Sequence, residues 1–70
     1  MTINWVNGFT IHVKIDEGGT VVISANKAGL LSLAGQLTAL ANEDPGSHIH
    51  YDEYNSLEDG STEMIIEKIP

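Results

Sequence analysis

Only one stretch of this chain repeats its apolar residues at helical spacing. Leu30, Leu31, Leu33, Ala34, Leu37, Leu40 and Ala41 recur every three or four residues, which lines them along one stripe of an α-helix. Asn26 precedes the stripe as a candidate N-cap, where a short polar side chain accepts from free backbone amides. Asn42 to Gly46 closes it, and Pro45 prevents continuation. The helix is therefore about 15 residues long, roughly 22 Å at 1.5 Å per residue. Gly29 and Gly35 weaken it by roughly 1 kcal/mol each relative to alanine. Glycines kept at that cost let something approach closely, here a sheet.

The remaining patterned segments read as strands. Phe9, Ile11, Val13 and Ile15 alternate with Thr10, His12, Lys14 and Asp16, as in a half-buried strand. Trp5 and Val6 extend it backwards, with Gly8 as a bulge or bend. Asp16-Glu17-Gly18-Gly19 is a turn, since glycine supplies positive φ. Thr20 to Ala25 then returns as the second strand of a hairpin. His48 to Glu53 is the third strand and Thr62 to Ile69 the fourth, joined by an acidic loop from Tyr54 to Ser61. Six residues at about 3.3 Å each reach some 20 Å, matching the helix. The order is ββαββ. The expected fold is α+β: a four-stranded, mostly antiparallel sheet with one helix packed on one face. Leu30, Leu33, Leu37 and Leu40 should rest on Phe9, Ile11, Val13 and Ile15. The third and fourth strands can follow the first in either order.

The 70 residues form one small domain, 1–70. A chain of this size buries only about 60% of its unfolded surface. With no cysteine, neither a disulfide nor a thiolate zinc site can reinforce it. Oligomerisation is a common remedy at this limit. Met64 and Ile66 lie on one face of the last strand and Ile65 and Ile69 on the other, so that strand is central or part of an interface. A homodimer covering the open sheet face and a monomer with scattered exposed apolar side chains both fit.

Three lysines and no arginine face ten carboxylates, a net charge of -7. That argues against nucleic acid and anionic membrane as partners, because both require basic clusters. It suits a basic protein partner, a cation or simple solubility. Met1-Thr2-Ile3-Asn4 carries no basic region or apolar run, and no stretch approaches the roughly 18 apolar residues of a membrane helix. A soluble, cytoplasmic protein is the expectation.

Two groups of residues carry candidate chemistry. His48, His50 and Asp52 alternate with Ile49 and Tyr51, so they share one strand face at steps of roughly 6.6 Å. Long side chains can converge over that span on one zinc ion, with His12 as a further ligand if the first strand neighbours the third. Most triplets of this pattern are a solvated face carrying a cross-strand hydrogen bond. Three donors leave a zinc site one ligand short, so no tightly bound metal or cofactor is expected. No nucleophile elbow, phosphate loop or reactive cysteine is present, so no catalytic residue is assigned and an enzyme is not expected. The second group is the acidic segment Asp52, Glu53, Tyr54, Glu58, Asp59 and Glu63. Its carboxylates can meet a basic partner and speed encounter, and tyrosine is a favoured interface residue. Leu57 reads as a buried anchor. Glu63 faces a partner or pairs with backbone amides of the preceding turn.

The helix Gly29-Leu30-Leu31-Ser32-Leu33-Ala34 through Leu37 and Leu40-Ala41, then Gly46-x-His48-x-His50-x-Asp52, Leu57 and Gly60-Ser61-x-Glu63 before an apolar strand, resembles the bacterial immunity protein 32 family. The resemblance covers roughly the last forty residues. It implies a non-enzymatic inhibitor that binds and neutralises a toxin made by the same cell. The alternative from the residues alone is a small metal-binding or oligomerising accessory domain built on the His-x-His-x-Asp strand.

Overall fold

The computed structural model describes residues 1–70 and contains five elements. These are β1 (Ile11–Ile15), β2 (Val21–Ala25), α1 (Lys27–Ala41), β3 (His48–Tyr51) and β4 (Met64–Glu67), the expected ββαββ order. The strands are shorter than their apolar patterns. Trp5 and Val6 do not extend β1. A turn at Asn7-Gly8 sends the N-terminal segment elsewhere, and Trp5 stacks on Phe9 at 4.3 Å between ring centroids.

β1 and β2 form an antiparallel hairpin in which Ile11 faces Ala25, Val13 faces Ile23 and Ile15 faces Val21. The Asp16 carboxylate closes the turn by accepting from the amides of Gly18 at 3.0 Å and Thr20 at 2.9 Å. Gly19 takes φ +82° there, a conformation that side chains disfavour. The bonds at either end of the ladder, Asp16 N to Thr20 O and Asn26 N to Thr10 O, fix its phase. Val22 and Ser24 turn their backbone groups towards β1, while Val21, Ile23 and Ala25 turn theirs outward.

Asn26 caps α1 as its side chain predicts, accepting from Gly29 N at 2.8 Å. Its side chain also accepts from Thr10 N at 3.0 Å and donates to Gly8 O at 2.9 Å, so the cap ties the helix to the strand before it. The helix is 15 residues long. Its buried face, however, is not the leucine stripe. Gly29, Ser32, Leu33, Gln36 and Leu40 point inward, whereas Leu30 is 55% exposed and Leu37 43% exposed. At 100° per residue the inward face is turned by roughly 60° from the centre of the Leu30, Leu33, Leu37, Leu40 face expected in the core.

The cause is a set of polar anchors. Ser32 Oγ accepts from Val6 N at 2.8 Å and donates to Ala28 O. Gln36 Nε2 donates to Asn4 O at 2.8 Å, and Gln36 Oε1 accepts from the Tyr51 hydroxyl at 2.7 Å. These buried groups are satisfied only when that face of the helix meets the N-terminal segment and β3, so the leucine flank is left outside. Gly29 makes the close approach expected of it. A methyl group there would stand 2.5 Å from Thr10 O and 3.0 Å from both Ala25 Cβ and Ile11 Cγ1. Gly35 does not, having nothing within 4 Å.

The expected continuous four-stranded sheet is two separate two-stranded sheets, β1-β2 and β3-β4, each antiparallel. The core lies between them and the helix: Ile11, Val13, Leu33, Leu40, Ile49, Tyr51 and Leu57. Ile15, expected in the core, lies at the exposed tip of the hairpin, and Phe9 is only partly buried. The gap between the sheets is bridged by the loop ahead of β4. Glu58 N donates to Ile11 O at 2.9 Å and Thr62 N to Val13 O at 2.7 Å. Val13 N donates to Ser61 Oγ at 3.2 Å. Ile11 O and both Val13 backbone groups on the free edge of β1 are thereby taken up by the loop, through two of its amides and the Ser61 hydroxyl, instead of by a strand.

Candidate functional site

The alternation of β3 buries Ile49 and Tyr51 and exposes His48 and His50. Asp52 ends the strand and starts a tight turn. Its Oδ1 accepts from Tyr54 N at 2.9 Å and Asn55 N at 3.0 Å. Its main-chain oxygen accepts from the amides of Ser56 at 3.1 Å and Leu57 at 2.9 Å. Asn55 Nδ2 donates back to His50 O at 3.0 Å. The turn drops Leu57 into the core and leaves Tyr54 97% exposed. Farther along, Glu53 Oε2 accepts from Gly60 N at 2.9 Å, closing the loop across its own mouth. Glu58 and Asp59 are exposed. The acidic segment is thus not a limp connection: its backbone is bonded to itself and to β1, and its carboxylates and one tyrosine project from a fixed frame.

The His48, His50, Asp52 triplet does not converge. His48 leans back, with Nδ1 3.3 Å from Gly46 O. His50 instead meets residues from both sides of the loop. Its Nε2 lies 3.3 Å from Glu63 Oε2 and 3.9 Å from Asp52 Oδ2. These three side chains offer ligand atoms within 4.8 Å of one another. As they stand they form an imidazole bridge between the two ends of the loop. His12 is not part of this group, because β1 pairs with β2 and not with β3; its Nε2 lies instead beside Gly60. Glu63 pairs with the imidazole, and Glu53 takes the turn amide that Glu63 was a candidate to hold.

A groove of ≈ 360 Å³ runs between the N-terminal segment and β3, lined by residues including Ile3, Trp5, His48, His50 and Asn55. That is more room than a chain this short leads one to expect. Met1, Ile3 and Trp5, which line it, alternate with Thr2 and Asn4, so the first five residues carry a period-two signal for that face. Tyr51 lies beneath this region. Burial raises its phenol pKa above the usual 10.0, because the phenolate would be poorly solvated there.

Among known proteins, no curated protein and no solved structure matches this chain. The family described as Immunity protein 32 does, over residues 20–69. The matched span begins at the foot of β2 and takes in α1, β3, the acidic loop and β4. It therefore contains the helix cap, the histidine strand and every carboxylate of the candidate face. This chain belongs to the Immunity protein 32 family.

Proposed function

We propose that this chain binds a cognate bacterial toxin domain and neutralises it without catalysis, meeting a basic surface of the toxin with the acidic loop between β3 and β4. Family membership supports the toxin as the class of partner. The observation that carries the choice of surface is the loop itself, with Tyr54 fully presented and Glu58 and Asp59 exposed on a backbone already held by hydrogen bonds. A prearranged loop loses little entropy on docking, so its contacts count more towards affinity. Asp52, Glu53 and Glu63 belong to the same face, but each also has an internal partner. The complex would form in the cytoplasm of the cell that makes the toxin. No helix here is long and apolar enough to cross a membrane.

The test uses the protein encoded beside this chain's own gene, co-expressed and captured with it. Glu58→Gln with Asp59→Asn should slow association several-fold at low salt and leave the thermal melt unchanged. The difference should fade as salt shortens the Debye length below about 8 Å. An association rate indifferent to both salt and these substitutions would remove the loop from the interface. Failure to capture any toxin-bearing neighbour would reject the neutralising role.

A further inference from the structure

The outer edge of β2 is unguarded. Val21-Val22-Ile23-Ser24-Ala25 contains no charge and no proline, the devices by which natural edge strands discourage pairing. The backbone groups of Val21, Ile23 and Ala25 point outward from the hairpin and bond to nothing within the molecule. Beside this edge, on the helix side of the sheet, Ile15, Val21 and Ile23 are all exposed.

We propose that two copies of this chain associate through their β2 edges, antiparallel about a two-fold axis at Ile23. This goes beyond toxin binding and does not depend on it. In that register Ile23 faces Ile23 of the second copy and Val21 faces Ala25. These are the residues whose amides and carbonyls are free, so each pair exchanges both backbone bonds. The two hairpins become one four-stranded sheet. The cross-strand row Val13–Ile23 continues into its own copy, and the row Ile15–Val21 continues into Ala25–Ile11.

Charge favours a second copy as the occupant. α1 has no acidic residue in its first turn, so its amide end and Lys27 form a positive site with no compensation from its own turn. The same register places Gly19 opposite Lys27 of the second copy. The Asp16-Glu17 turn of each molecule thereby comes to the helix start of the other. The contact is small and isologous, so a reversible, concentration-dependent dimer is expected.

Sedimentation equilibrium of the full chain up to about 1 mM should show that dimer. Amide exchange should show Val21, Ile23 and Ala25 gaining protection as concentration rises, while Val22 and Ser24 are protected throughout. Ile23→Lys should be monomeric at every concentration with an unchanged circular dichroism spectrum. Lys27→Glu should weaken the dimer about tenfold, and adding Glu17→Lys should restore it. If Ile23→Lys disturbs folding, the Lys27 and Glu17 exchange decides alone. A monomer at the highest concentration overturns the proposal. So does a dimer that survives these substitutions with the three edge amides unprotected. Protection of those amides only on adding a toxin partner would assign the edge to the toxin and also overturn it.

Discussion

Gly29 and Gly35 lie on the same helix and carry opposite consequences. At Gly29 the obstacle is a backbone oxygen, which cannot swing aside. Gly29→Ala should therefore lower stability by roughly 1–3 kcal/mol, the range typical of overpacking. Gly35 has open space, and alanine there should add roughly 0.5–1 kcal/mol through helix propensity alone. Paired urea titrations check both; equal shifts would contradict the close approach at Gly29. Tyr51 gives a pH prediction. Its pKa is raised in the folded chain above 10.0 by burial. The unfolded chain therefore releases this proton first as pH rises. The stabilisation is complete below about pH 10 and is lost as pH climbs from there towards the folded value. Denaturation midpoints should fall above about pH 10 in the native sequence. Tyr51→Phe should lack that component of the fall, at a cost of about 1–3 kcal/mol for leaving Gln36 Oε1 without its donor.

The helix shows what a linear pattern does and does not encode. Leu40→Ala should cost about 2–5 kcal/mol, as for a fully buried leucine, and Leu37→Ala under about 1 kcal/mol. Thermal melts of the two variants measure the rotation of the helix directly, and a reversed order would restore the leucine stripe as the core face. The helix limits, the Asn26 cap and the Asp16 turn were legible because each depends on residues a few positions apart. The rotation was not. Ser32 and Gln36 find their partners at Val6, Asn4 and Tyr51, and no local signal links these positions. The histidine strand repeats the lesson. Spacing correctly set His48 and His50 on one face. Which side chain closes on His50 was decided by where the loop returns Glu63. The separation of the two sheets was equally invisible, since the loop reaches β1 through main-chain bonds at Glu58 and Thr62 that side-chain identity does not announce.

As a whole the molecule is a slab, 34 × 29 × 19 Å, thin enough for only a helix layer over a strand layer. Its strand layer is held together in the middle by a loop. Residues 58 to 62 lie where a central strand would lie, and they precede β4 in the acidic segment proposed to face the toxin. This division of labour has an evolutionary consequence. Main chain and side chain in the loop answer to different constraints: the amides of Glu58 and Thr62 hold the two sheets in register, whereas the carboxylates of Glu58 and Asp59 hold nothing inside the molecule. A lineage tracking a changing toxin is therefore free to rewrite the tips of this loop residue by residue, but not to lengthen or shorten it. Specificity should diverge by substitution while loop length stays fixed, and an insertion there would sacrifice the fold before it altered the partner.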